Sequence, residues 1–184
     1  FFIFNPALVP EVPKPSEEQM QDAKIIYYSP SCSPVEEKRS QAGLIEGLIS
    51  FTAMFNSPGE GSLRNIRTKQ LALSILEAEP QIWMVLIMRH AQVSPDASHG
   101  SQEQHLDEDD LSDATMQAIL KNFYGVFRLL HGEIQAFVQA QSMHKLFDLL
   151  EDFVPAFLET VDAGDFSIFH ELDGFHYGPV ERNT

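Results

Sequence analysis

Three short stretches hold residues whose types could do chemistry. In "LIMRHAQ" (86–92) an Arg-His pair, Arg89 and His90, closes an apolar run. Histidine phosphatases place Arg-His-Gly at the end of a strand so that the His can take the phosphoryl group. Here Ala91 stands where the Gly belongs, the motif follows the fifth strand rather than the first, and no second His–Arg set completes a phosphate pocket. "HELDGFHYG" (170–178) gathers His170, Glu171, Asp173 and His176. A zincin site needs His-Glu-x-x-His with both histidines on one helical face, and the second His here stands too far along, beside a Gly. The acidic run Glu103 to Asp113 could attract a cation or a basic partner, with a solvated loop as the other reading, and His99 and His105 lie near it without a fixed partner. Cys32 has no neighbouring base, and no Gly-rich phosphate loop, Gly-x-Ser-x-Gly or Cys-x-x-Cys occurs. These residues assign no metal and no cofactor, and leave Arg89-His90 as the one enzymatic alternative.

Composition narrows the partners. The 184 residues carry 27 acidic against 12 basic side chains, a formal charge of -15, which repels phosphate backbones and anionic lipid head groups. Nucleic acid is thus a poor partner. No apolar run approaches the ~20 residues that span a bilayer, and "FFIFNPALVP" lacks a basic n-region. With one cysteine and a hydrophobic content of 43%, the chain reads as one well-buried domain on the cytosolic side.

The elements that would position a site follow from period and punctuation. "FFIFNP" and "KIIYYSP" read as two strands joined by a Pro- and Glu-rich loop, 7–23. "SCSPVEE" starts a helix, with Ser33 as N-cap and Pro34 at the first helical position, and "NSPGEG" stops it. Three strands follow, 62–69, 70–79 and 81–89; the last is apolar on both faces and belongs at the centre of the sheet. A polar loop over 91–110 leads to a helix ended by Gly132 and to a third helix from Ile134 to Val161, kinked at Pro155. Residues 162–184 read as a linker toward a following domain. The order β-β-α-β-β-β-α-α gives an α+β fold: a mainly antiparallel sheet of five strands with one helix on one face and two on the other.

The first long helix, "QAGLIEGLISFTAMF" (41–55), is greasier than a helix packed on one core requires. Leu44, Leu48, Phe51 and Phe55 fall within about 60° and are expected to face its own sheet. Ala42, Ile45 and Ile49 extend the apolar surface on one flank, Gly47 and Met54 on the other, leaving Arg39, Glu46 and Ser50, with Ala53, as a polar strip. The arc covers roughly two-thirds of the circumference. Either later segments of the chain bury this flank or a partner does, and Gly43 and Gly47 would let another backbone approach. The next strand carries Arg64, Arg67 and Lys69 around Ile66, a charged pattern suited to a sheet edge that pairs with one chosen partner. Helix flank and edge strand together suggest one dimer surface, on which Ile49→Asp is expected to leave the fold soluble while lowering complex formation.

"FFIFNP", "AGLIEGLISFTAMF", "IWMVLIMR" and "FSIF…LDGFHYGP", in this order, resemble the longin domain family, and within it the first longin domains of the Ccz (calcium-caffeine-zinc sensitivity) subunits of Mon–Ccz complexes. The resemblance covers most of the chain, with 1–161 as the longin domain and the acidic insertion as its departure. It implies a guanine-nucleotide exchange factor subunit without chemical catalysis of its own. It implies a heterodimer with a Mon-type longin subunit acting on the Rab GTPase of late endosomes and vacuoles, and a cytosolic protein reaching that membrane through the complex. Ala42, Gly43, Ile45, Glu46, Gly47, Ile49, Ser50 and Ala53 would meet the partner or the GTPase, and Arg64, Ile66, Arg67 and Lys69 the dimer edge. The alternative is a longin scaffold without GTPase contact.

Overall fold

A computed structural model describes residues 1–55, 63–89 and 112–162. The polar loop over 91–110, the segment "NSPGEG" and the linker read over 162–184, apart from Asp162, which ends the last helix, lie outside these residues, as do His90, His99, His105, His170, Glu171, Asp173 and His176.

The strands are β1 (Phe2–Phe4), β2 (Ile25–Tyr28), β3 (Asn65–Arg67), β4 (Leu71–Glu79) and β5 (Ile82–Arg89). They form one five-stranded sheet in the order β2-β1-β5-β4-β3, with every neighbouring pair antiparallel. β5 is central, as its unbroken apolar run required: Ile82 to Leu86 are buried, and Phe2, Ile3 and Phe4 of β1 pair with Val85, Met84 and Trp83. On its other side β5 pairs with β4 from Leu71↔Arg89 to Glu79↔Ile82. The tight turn between them puts Gln81 at φ 67°, and Glu77 Oε1 accepts from the Gln81 N–H at 3.1 Å.

The helices are α1 (Glu17–Lys24), α2 (Val35–Ala53), α3 (Asp113–His131), α4 (Ile134–Gln139) and α5 (Met143–Asp162). Alternation along the strands divides the core in two. Ile3, Ile26, Tyr27, Ala72, Ile82, Met84 and Leu86 face α3, α4 and α5, whereas Phe2, Phe4, Tyr28, Leu73, Ile75, Trp83 and Val85 face α2. On the first face Phe123 anchors a ring cluster, 4.8 Å from Phe1 and 5.2 Å from both Phe153 and Phe157. Burying side chains of this size stabilises by about 1.5–3 kcal/mol each.

The observed elements correct the sequence reading in three places. Residues 17–23, read as loop, and Lys24, read as the start of the second strand, form α1. Its signal was local: Ser16 accepts from the Gln19 N–H at 3.2 Å, and the Gln19 side chain accepts from the Ser16 N–H at 2.9 Å, a complete capping box. No residue of α1 is buried, so hydrophobic periodicity had nothing to report. The helix expected from Ile134 to Val161 is two helices, broken where Gln141 takes a left-handed φ of 52°. The apolar stripe runs on across the break because both pieces pack on the same core. α5 then continues through Pro155 to Asp162. Finally, α2 starts at Val35 with Pro34 at the cap and no side-chain capping bond, so Ser33 does not serve as its N-cap.

Candidate functional site

α2 lies over a floor of large rings. Phe2 stacks on Tyr28 with centroids 5.6 Å apart, and Phe2 and Phe4 are 5.8 Å apart. This floor already fills the space under the helix, so the residues that fit beneath are the small Ala42 (6% exposed) and the β-branched Ile45 (1% exposed), with Ile49 half-buried beside them.

Polar contacts on both sides fix the rotation of α2. Toward α1, Lys24 Nζ donates to both carboxylate oxygens of Glu46 at 2.7 and 2.9 Å. Arg39 meets Asp22 as a fork, Nε to Oδ1 and Nη2 to Oδ2, both 2.7 Å. That guanidinium holds the Asp22 carboxyl below its ordinary pKa. Toward β2, the Tyr28 hydroxyl donates to Gln41 Oε1 at 2.9 Å, and Lys38 Nζ sits 5.5 Å from the Tyr28 ring while donating to the Ser31 carbonyl at 2.6 Å. Ile45 sits between these two clasps.

The consequence reverses the expected orientation. Leu44, Phe51 and Phe55, expected on the sheet, are 60%, 59% and 70% exposed, with Leu48 half-buried. They lie about 120° around the helix from Ala42, Ile45 and Ile49. Met54 joins them on the outside, and the Phe51 and Phe55 rings contact at 4.8 Å. Angular counting found two apolar sides but took the tighter cluster for the inner one. Clustering was the wrong criterion, because the sheet had supplied its own rings and needed small and branched partners. Of the positions assigned to the partner or the GTPase, Ala42 and Ile45 are therefore covered by the chain's own sheet, and Ile49→Asp would put a charge against that core. Glu46 is engaged with Lys24, while Gly43, Gly47, Ser50 and Ala53 are exposed. A Cβ added at Gly43 or Gly47 would meet nothing within 4 Å, so another backbone could approach there.

The strand assigned to the dimer edge does lie at the end of the sheet, but as Asn65–Arg67, shorter than the expected 62–69. Arg64 and Lys69 flank it and are exposed, Ile66 is half-buried against the α2-side core, and Arg67 Nε donates to Asp113 Oδ1 at 2.7 Å. Arg89 ends β5 exposed to solvent, with His90 outside the described residues, and Cys32 is exposed. Among the described residues no cluster of His, Cys, Asp or Glu is placed to hold a metal, and no helix is long and apolar enough to cross a membrane.

One buried carboxylate went unread in the sequence. Glu79 accepts from the Ile134 and Gln135 N–H groups, both at 2.7 Å, and from the Tyr124 hydroxyl at 2.9 Å. It holds the start of α4 against the end of β4, a structural duty that no local pattern signals across more than fifty intervening residues.

Residues 1–132 match the family described as the first longin domain of INTU, CCZ1 and HPS4. Proteins named vacuolar fusion protein CCZ1 homolog are similar to the chain. The one from Tetraodon nigroviridis is 24% identical over 100% of this chain and 37% of its own length, and that from Nematostella vectensis 27% identical over 100% and 38%. Homolog A from Arabidopsis thaliana is 30% identical over 74% of this chain and 24% of its own length. The chain thus spans little more than a third of the length of the first two of these curated relatives and about a quarter of the third. With an antiparallel five-stranded sheet sandwiched between α2 and the α3–α5 layer, and with that match over most of its length, the chain belongs to the family of first longin domains of INTU, CCZ1 and HPS4.

Proposed function

We propose that this chain is the longin portion of a vesicle-fusion subunit, and that it acts in a heterodimeric guanine-nucleotide exchange factor for the Rab GTPase of late endosomes and vacuoles. The similarity to proteins named for vacuolar fusion supports the trafficking role. The exposed apolar face of α2 carries the finer reading. A helix that turns Leu44 and Phe51 to water, with Met54 and Phe55 exposed just past its end, has more apolar surface outside than a lone domain uses, and contiguous exposed apolar patches mark interaction sites. Edge strand β3 supplies backbone pairing to a Mon-type longin subunit, with Arg64 and Lys69 beside it for a partner of opposite charge.

The mechanism is differential binding. An exchange factor binds the nucleotide-free GTPase more tightly than the loaded one, and by linkage the nucleotide loses that same free energy. A thousandfold weakening needs about 4 kcal/mol, within reach of two or three desolvated anchors such as Phe51 and Phe55 pressed into a remodelled switch region. The protein reaches the membrane through the assembled complex. In the full-length protein, Phe51→Asp with Phe55→Asp should cut fluorescent GDP release from the cognate Rab at least about tenfold, since each anchor is worth more than 1 kcal/mol. Circular dichroism should stay unchanged. Undiminished release, or undiminished pairing together with undiminished release, refutes the assignment of this face.

A further inference from the structure

β3 is three residues long, too short for its ladder alone to hold it firmly. Its exit is tied by a turn in which the Thr68 N–H donates to the Leu71 carbonyl at 2.8 Å and Thr68 Oγ1 accepts from the Leu71 N–H at 2.9 Å. Its entry is tied from the other side of the sheet. Gln117, in the second turn of α3, brings Nε2 to 3.0 Å from the Arg64 carbonyl, 2.9 Å from the Ile75 carbonyl and 2.8 Å from Ser74 Oγ. Carbonyl oxygens only accept, so the amide must present its donor end here. Ser74, fully buried, passes its own hydroxyl proton toward Asn65 Oδ1 at 2.9 Å. One side chain therefore grips the residue that enters β3, the facing strand, and through Ser74 the first residue of β3 itself.

An apolar trio could fill this space with no desolvation cost, and a polar network confers geometry rather than stability. What it specifies is register. A one-residue slip would turn Ile66 away from the α2-side core and carry Asn65 and Arg67 together onto that side. We infer that Gln117 is a positioning residue for partner recognition: it holds β3 in the register and position at which its outer edge can pair with the partner's strand. This rests on the reading of β3 as a partner edge.

The test uses the full-length protein and its Mon-type longin subunit. Gln117→Leu removes the donor at similar volume, and Gln117→Lys restores a donor of comparable reach. Removing hydrogen bonds of this kind should speed amide exchange at 65–67 in the uncomplexed protein and weaken the complex, each by about three- to tenfold, with Gln117→Lys recovering most of both. Unchanged exchange in Gln117→Leu overturns the inference. Faster exchange with unchanged affinity, or a Lys variant no better than Leu, overturns it as well, because a merely structural role would not track partner affinity. Arg64→Glu with Lys69→Glu separates the two ideas. If that pair leaves affinity unchanged, the edge reading fails and the inference with it; if it weakens the complex while Gln117→Leu does not, the inference fails alone.

Discussion

α2 and α3 are both 19 residues long and lie on opposite faces of one sheet, yet they spend their apolar residues differently. α3 buries Met116, Ile119, Leu120, Phe123 and Phe127, whereas α2 buries Ala42 and Ile45 and sets its largest side chains outside. The difference follows from what each helix meets. α3 has α5 beside it and a floor that is mostly aliphatic below, with Tyr27 and Phe1 its only rings among the described residues, so it must bring most of the rings. α2 meets rings already in place and has the short, wholly unburied α1 as its helical neighbour. A helix with two apolar sides and one domain to satisfy leaves the second side exposed.

The sharpest way to break this contrast is to truncate one ring on each helix. Phe123→Ala should cost about 3–5 kcal/mol in urea unfolding, and Phe51→Ala no more than about 0.5 kcal/mol. Comparable losses would mean that the outer face of α2 is part of the fold. Within α2, Ile45→Ala should cost about 2–4 kcal/mol while its neighbour Leu44→Ala stays near zero, which locates the inner side by stability alone. Glu79→Ala strips three donors of their acceptor on the helix-rich face and should lose about 1–3 kcal/mol by the same measurement, with no change in partner binding.

Two smaller effects come from titration. Burial, helped by the Glu79 hydrogen bond and charge, pushes the Tyr124 phenol from 10.0 up to about 12. Its folded-state value is the higher one, so its contribution is complete below pH 10 and fades as pH rises toward 12. Tyr124→Phe should flatten part of the alkaline fall in melting temperature, the remainder arising from Tyr27 and Tyr28, whose phenols burial also raises. Asp22 works in the opposite sense. Its carboxyl is held down by Arg39, so the tie between α1 and α2 is present above 3.8 and lost as pH falls through the depressed value. Amide protection in α1, taken relative to the intrinsic exchange rate, should fall in acid and in high salt, and Arg39→Met should weaken both dependences, leaving the part carried by Lys24 and Glu46.

Much of this architecture could be read locally. The sequence of strands and long helices along the chain, the centrality of "IWMVLIMR" and the stop at Gly132, which takes φ 93°, depend on residue types whose preferences act within a few positions. α1 was legible too, through Ser16 and Gln19, but only to a reader of caps rather than of apolar stripes. The break at Gln141 was not, since nothing in its side chain demands a left-handed backbone; the turn that joins α4 to α5 imposes it.

The candidate site divides along the same line. That α2 has two apolar sides, and that a short basic strand follows it, is present in the residue order, because helical and strand periods convert spacing directly into faces. Which side turns inward was decided by Phe2, Phe4, Tyr28 and Trp83, which come from three strands and meet only when the sheet assembles. Their bulk selects Ala42 and Ile45, and the clasps of Glu46 with Lys24 and Gln41 with Tyr28 lock that choice. Packing is a property of facing surfaces, and a single segment carries only one of them.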